Sequence, residues 1–292
     1  MKIDVYFTPL GLGAGDLGGR GIVVIDVLRA TTTIVTALAN GAKAVIPAAT
    51  SEEAVRLASH LEKDGVLLAG ERRSVKIDGF ALGNSPREMT PAAVAGKTIV
   101  LATTNGTPAL VAAQGGEPVL VGAPANFRAL GEHARRLLAT RGDLVIICAG
   151  REKQFAIEDA YTAGRLVKAA KKGTRKVALN DAAGAALVLT EQFASWKEAL
   201  QDSEAQRYLL PSVGLGTLRR SRVKKRDEDR LVQLRTDESE PLLQACALRA
   251  RGRRELCVRE AIRDVLKDGG VFGQQHPVIG VQHRYLTHGC YG

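Results

Sequence analysis

Four stretches of this chain set acids, hydroxyls and a guanidinium directly behind apolar runs, a pattern suited to handling phosphate. In Ile25-Asp-Val-Leu-Arg-Ala-Thr-Thr-Thr33, Asp26 closes an apolar run, and Arg29, Thr31 and Thr32 open the next segment. Gly70-Glu-Arg-Arg-Ser74 brings Glu71 and Arg72 behind Val66–Ala69, and the same loop runs on through Gly79 and Gly83 to Asn84 and Ser85. Thr103, Thr104, Asn105, Gly106 and Thr107 follow Ile99–Ala102, and Glu158 and Asp159 come shortly after Leu144–Cys148. A helix N-terminus offers unpaired N–H groups and a positive dipole end to a phosphate, and an arginine adds bidentate recognition. Nearby carboxylates suit a hard cation such as Mg2+.

Each stretch also has a plainer reading. Asp26 can cap the following helix with Arg29 paired to it, and Glu71 can form a surface ion pair with Arg72 or Arg73. Glu158 and Asp159 stand where a helix dipole favours carboxylates, and adjacent helical residues diverge, so one of the two is expected to face the site. A single cap accounts for one residue of Thr103–Thr107 but not for four polar side chains around a glycine. Gly13, Gly15 and Gly18 form a formal GxGxxG, yet a strand follows them where a dinucleotide loop needs a helix, so the match is discounted. His276, His283, His288 and Cys290 fit no standard zinc spacing and are read as solvated or structural.

The elements that must position these loops follow from the hydrophobic pattern. Short β-branched runs at Lys2–Tyr6, Gly21–Asp26, Ala44–Pro47, Val66–Ala69, Thr98–Ala102, Pro118–Val121 and Leu144–Cys148 predict strands. Ala-rich segments near 30–40, 51–63, 86–94, 106–114, 126–140 and 157–171 predict helices between them. Thr50 with Glu53, and Ser85-Pro86 with Glu88, read as helix starts. Asn180–Leu200 reads as one helix, with further helical pieces near 241–251 and 255–267. Alternation of this kind predicts an α/β protein with mostly parallel sheets flanked by helices, whose ligands sit beyond the carboxyl ends of the strands.

Composition narrows the function classes. With 292 residues, 45% of them hydrophobic and 25% charged, the chain can bury a full core. No apolar run reaches the roughly 18 residues of a membrane span. The N-terminal pattern lacks the apolar region of a secretory signal, so a cytoplasmic location is expected. Four dispersed cysteines suggest no disulfide framework. The net charge of +10 is densest at Arg219–Arg226, but Asp227-Glu-Asp229 follows at once and no aromatic platform accompanies it. Nucleic acid is therefore disfavoured, and a small anionic substrate is the expected partner.

Taken together, Ile25–Thr33, Gly70–Pro86, Thr103–Thr107 and Cys148–Asp159 resemble the 2-phosphosulfolactate phosphatase (ComB) family. The most specific stretches are VIDVLRATTTI and GER…GFALGNSP, and the likeness runs through roughly the first 165 to 200 residues. The resemblance implies a Mg2+-dependent hydrolase that converts 2-phospho-3-sulfolactate to 3-sulfolactate and phosphate, a step of coenzyme M biosynthesis. It also implies two unlike α/β domains, placed here at 1–124 and 125–292. After about residue 203 the Arg-rich tail departs from the family pattern. On this reading Asp26, Glu71 and one of Glu158 and Asp159 hold Mg2+, and Asp26, Arg29 and Glu71 form the catalytic set. Arg29, Thr31, Thr32, Asn84, Ser85 and Thr103–Thr107 cradle the phosphate, while Arg72 takes the sulfonate or carboxylate. Which carboxylate acts as base is open, as are a homodimer and an aspartyl-phosphate on Asp26, which ranks below direct attack by water because the usual DxDx(T/V) surroundings are absent. The alternatives are a phosphatase of another small anionic ester and a non-enzymatic anion- or nucleic-acid-binding protein.

Overall fold

A computed structural model describes residues 1–13, 15–61, 65–174 and 176–205, together with two further strands, Leu231–Arg235 and Val278–Gln282. In chain order the strands are β1 (Lys2–Tyr6), β2 (Gly21–Ile25), β3 (Ala44–Ala48), β4 (Val66–Arg72), β5 (Val75–Lys76), β6 (Thr98–Ala102), β7 (Val119–Gly122), β8 (Asp143–Cys148), β9 (Ala178–Leu179), β10 (Leu231–Arg235) and β11 (Val278–Gln282). The helices are α1 (Ala30–Ala39), α2 (Ser51–Ser59), α3 (Pro91–Val94), α4 (Gly106–Ala112), α5 (Phe127–Arg141), α6 (Ile157–Ala170), α7 (Asp181–Gln192) and α8 (Trp196–Gln201). The protein is α/β, as its sequence pattern predicts.

Two parallel blocks carry the architecture. One is β4-β6-β3 and the other is β7-β2-β8-β1-β9. The antiparallel pair β10–β11 joins them through Gln233 and Leu234 on β7 and Ile279 on β3. Every residue of β2 is buried, as a strand covered on both faces requires. On one face, residues of β2, β3, β6, β7 and β8 share a core with Ile34, Val35 and Leu38 of α1 and Ala109 and Leu110 of α4. On the other, Val23, Ile25, Ile146 and Cys148 pack against α5, α6 and α7. Thus α1 and α4, the helices that follow two of the candidate loops, are wedged into the core by their apolar sides.

Helix boundaries follow local chemistry, and two depart from the sequence expectation. α2 starts as predicted, with the Thr50 hydroxyl accepting from Glu53 N at 3.1 Å. The helix expected over 86–94 shrinks to the single turn α3. Glu88, expected as a cap partner, instead accepts from Gly83 N at 2.8 Å, and Pro91 holds Thr90 in an extended conformation before it caps the turn. The helix expected over Asn180–Leu200 divides into α7 and α8. Phe193 turns extended, its carbonyl accepts from Tyr161 Oη at 3.3 Å, and Ser195 caps a new helix. The helical pieces near 241–251 and 255–267, the Arg219–Arg226 cluster and the histidine-containing tail lie outside the described residues. Among those described, no helix is long and apolar enough to cross a membrane.

Candidate active site

Asp26 follows β2 directly and is almost wholly buried. Its Oδ1 accepts from Ala30 N at 3.1 Å at the start of α1. Its Oδ2 lies against Gly106 at the start of α4, where any Cβ would overlap both this carboxylate and Ala30. Glycine at 106 is thus what lets the second loop close on the first. Thr31 exchanges hydrogen bonds with the Asp26 backbone, and Thr32 Oγ1 donates to Val27 O at 2.7 Å. These two hydroxyls hold the turn rather than pointing away from it.

Glu71 ties the next two loops together. Its Oε1 accepts from Thr104 N at 2.7 Å, and its Oε2 accepts from Ser74 N at 2.6 Å and from Thr104 Oγ1 at 3.1 Å. Arg73 and Ser74 form the two-residue turn between β4 and β5, and both have positive φ, 49° and 68°. Arg73 N donates to Thr104 Oγ1 at 3.0 Å, and Arg29 Nη2 reaches Ser74 O at 3.5 Å. A second turn of the same kind follows β8. Arg151 and Gln154 pair across Glu152 and Lys153, at φ 46° and 66°, and Glu152 N donates to Asn105 Oδ1 at 3.0 Å. Left-handed non-glycine residues cost about 1–2 kcal/mol each, so neighbouring contacts must hold both turns in place. Those contacts come from adjacent residues, Thr104 and Asn105.

Both acids of α6 turn inward. Asp159 accepts from Val27 N at 2.8 Å and from Gly150 N at 3.1 Å, joining the loop after β2 to the loop after β8. Glu158 Oε2 accepts from Ser203 Oγ at 2.7 Å. The two side chains diverge, Asp159 toward the loops after β2 and β8 and Glu158 toward Ser203, and both are buried because α6 has elements packed on both sides of its first turn.

Burial of these acids sets their electrostatics. Desolvation pushes the Asp26 carboxyl up to about 7, with the charges of Glu71 and Glu158 adding to it and the Ala30 amide and Arg29 opposing. Burial likewise raises Asp159, reinforced by Asp26 and Glu158. Burial also raises Glu158, against the pull of the Ser203 hydroxyl and Arg151. Burial lowers the Arg29 guanidinium from its ordinary value, with Glu71, Asp26 and Glu88 opposing. Such a cluster of mutually repelling acids beside a buried arginine can take a cation and an anion together.

Among the described residues, no group of three or more His, Cys, Asp or Glu side chains closes into a metal cage. Glu71 and Asp159 already spend both carboxylate oxygens on amides and hydroxyls. Asp26 and Glu158 each have one oxygen in a described hydrogen bond. That donor set fits Mg2+, which commonly takes one or two carboxylates and completes its shell with water and phosphate.

A family model for 2-phosphosulpholactate phosphatase matches residues 7–217, a span that contains all four loops and Ser203. The chain belongs to the 2-phosphosulpholactate phosphatase family. A relative from Caldanaerobacter subterraneus subsp. tengcongensis, named "Probable 2-phosphosulfolactate phosphatase", is 45% identical over 174 residues, covering 60% of this chain and 71% of its own. A protein of the same name from Symbiobacterium thermophilum is 43% identical over 189 residues, 65% of this chain and 78% of that one. Another, from Thermotoga petrophila, is 41% identical over 212 residues, 73% and 86% of the two chains.

Within this family member, Asp26, Arg29, Glu71, Thr104, Asn105, Gly106 and Asp159 are joined by the contacts described above, whereas the Glu158 carboxylate bonds to Ser203 and acts on Asp26 through its charge. Thr103 and Thr107 are buried and bond to one another, each accepting at its hydroxyl from the other's amide at 2.9 Å. They brace the start of α4. Asn84 and Ser85 are buried, and among the described residues Asn84 Oδ1 has no hydrogen-bond partner, so this loop holds unspent polar capacity. Arg72 is set differently. It follows Glu71 along β4 and reaches back to the Ala49 and Glu71 carbonyls at 3.4 Å, as alternation of side chains along a strand dictates. Sequence reasoning missed Ser74, Glu88, Arg151 and Ser203. Only Ser203-Glu204, close behind a predicted helix, carried any signal, and it was masked by the change in composition that begins there.

Proposed function

We propose that this chain is a phosphoric monoester hydrolase that cleaves 2-phospho-3-sulfolactate to 3-sulfolactate and phosphate, with Mg2+ as cofactor. The observation that carries the reading is the closure of four strand-end loops around Asp26, by hydrogen bonds, in a member of this family. In the reaction, water attacks phosphorus, the bond from phosphorus to the C2 oxygen breaks, and that oxygen leaves with a proton. Little covalent help is needed, and positioning with charge neutralisation does most of the work.

The residues divide these tasks. Arg29, buried between the charges of Asp26, Glu71 and Glu88, supplies fixed positive charge to the phosphoryl oxygens. The amides of Ala30, Thr31, Thr104 and Thr107 are spent on bonds within the loops, so they shape the cradle rather than supply its donors. Glu71 holds Thr104 and Ser74 in register, so the rims of the second and third loops move as one body. Asp26 and Glu158 are the carboxylates that would hold Mg2+. When bound, the ion would neutralise phosphate charge and make water more acidic. Burial of the acids keeps bulk water out and strengthens each of these interactions.

The test is phosphate release from 2-phospho-3-sulfolactate, with and without Mg2+, by wild type, Asp26→Asn and Glu71→Gln. Mg2+-dependent release that collapses in Asp26→Asn and weakens in Glu71→Gln is expected. Equal rates in the three proteins would remove the site assignment. Release from other phosphate esters but not from this one would keep the chemistry and overturn the substrate.

A further inference from the structure

Two elements, α6 and the α8 arm, meet at one acid. Glu158 lies in the first turn of α6 with 4% of its surface exposed, and Ser203, just beyond α8, is 2% exposed. Ser203 Oγ donates to Glu158 Oε2 at 2.7 Å while accepting from Ala205 N at 3.1 Å. A hydroxyl has one proton to give, and the Ala205 amide occupies an acceptor position. Both bonds therefore fix the hydroxyl's rotation and aim that proton at the carboxylate.

The arm that delivers Ser203 is itself tied to Glu158 by a second route. Glu158 O accepts from Thr162 Oγ1 at 2.8 Å, and the same hydroxyl accepts from Trp196 Nε1 at 3.0 Å. Trp196 in turn stacks on the Arg165 guanidinium, 4.0 Å from ring centroid to Cζ, and meets Phe127 edge-on at 4.9 Å. In a protein where aromatics are only 4% of residues, this concentration of rings at the root of one short arm is conspicuous. Beyond Ser203, Ala205 packs against Leu28, the neighbour of Arg29. The arm thus reaches from the outer helices to the loop that holds Asp26 and Arg29.

We propose that Ser203 is a positioning residue: the α8 arm, latched by Trp196 on Arg165, uses the Ser203 hydroxyl to fix the orientation in which Glu158 presents its carboxylate to the Mg2+ site. The inference rests on the proposed phosphatase function for the role of Glu158. Removing partners that orient a metal-binding carboxylate characteristically costs about 10–100-fold in metal affinity or activity.

The experiment compares wild type, Ser203→Ala, Ser203→Thr and Trp196→Phe, using Mg2+ alone in titration calorimetry and phosphate release from 2-phospho-3-sulfolactate. Ser203→Ala is expected to weaken Mg2+ binding and to lower kcat, each by about tenfold, with KM little changed. Ser203→Thr, which restores the hydroxyl, is expected to regain most of both, and Trp196→Phe to lose about threefold. A purely structural role predicts the reverse order, since the extra methyl of threonine crowds a buried position more than alanine does. Ser203→Ala behaving like wild type, threonine faring no better than alanine, or no Mg2+ binding by wild type would each overturn the inference. Mg2+ binding with the expected ranking, but no phosphate release by wild type, would overturn the substrate reading and leave the role of Ser203 standing.

Discussion

The opposite ends of β2 and β8 carry two charge clusters of contrary design, each with a buried aspartate. At the amino ends, Arg20 Nη2 bridges Asp4 at 2.8 Å and Asp143 at 2.6 Å, and Lys2 adds a third contact to Asp4 at 2.8 Å. At the carboxyl ends, Asp26, Glu71, Glu158 and Asp159 accept from amides and hydroxyls. Burial pushes Asp4 up, but the hydrogen bonds from Lys2 and Arg20 outweigh it and hold its carboxyl below the ordinary range. Burial pushes Asp26 up to about 7, and no comparable cation reverses it. The two aspartates differ in sign because Asp4 lies shallower and bonds directly to Lys2 and Arg20, whereas Asp26 lies deep and meets Arg29 through charge alone. The first cluster carries its cations within the chain, although Asp4 Oδ1 and Arg20 Nε find no hydrogen-bond partner among the described residues, and the second holds acids in excess of cations.

Removing the built-in cation should give the largest effect. Arg20→Met removes charge-assisted bonds to both Asp4 and Asp143, leaving Lys2 as the remaining cation on Asp4, and should cost about 3–5 kcal/mol of stability, seen in urea melts. Phosphatase activity at a temperature where the variant is folded should be unchanged, and a loss of kcat there would break the division between the two clusters.

The acid cluster should show the opposite pH response. A carboxyl raised from 3.8 to about 7 contributes stability that is full below about pH 4 and lost as pH rises through 7. Metal-free protein should lose up to roughly 4 kcal/mol across that window from Asp26. Raised Glu158 and Asp159 act in the same direction. Asp26→Asn should flatten the slope and raise the melting temperature at pH 8 while abolishing activity. Asp4, being lowered, contributes stability that disappears only as pH falls below its ordinary range. Melts across pH 4–8 that give wild type and Asp26→Asn the same slope would remove the repulsion argument.

Smaller effects test how the loops meet. Gly106→Ala must displace both Asp26 and Ala30, and should cost about 1–3 kcal/mol together with most of the activity. Lys153→Gly relieves a left-handed residue at an exposed turn and should change stability by at most about 1 kcal/mol, in the favourable direction. A clear loss from Lys153→Gly in a thermal melt would mean that the side chain, not the backbone turn, is what this loop needs.

Much of this was legible in the sequence. Apolar runs marked the strands from β1 to β8 apart from the two-residue β5, and the strand-end rule marked Asp26, Glu71, Thr103–Thr107 and Glu158–Asp159. What escaped it has physical reasons. Turns with two left-handed residues are usually announced by Asn-Gly or Asp-Gly, but here Arg73-Ser74 and Glu152-Lys153 adopt them because Thr104 and Asn105 hold the amides. Glu88 looked like a helix cap until its carboxylate found Gly83 N within its own loop. Arg72 shared a motif with Glu71, yet alternation along β4 sends neighbouring side chains opposite ways. Tertiary partners decide such cases, and residue spacing does not reveal them.

The bond between Ser203 and Glu158 spans 45 positions of chain. A ribosome adding roughly 5–20 residues per second needs a few seconds to cover that distance. During that interval the strands β1, β2 and β8 and the helix α6 have all been made, while one of their buried acids still waits for its hydroxyl. The nascent protein thus passes through a stage in which β2, β8 and α6 exist without that hydroxyl, and β10 and β11, which join the two parallel blocks, are made later still.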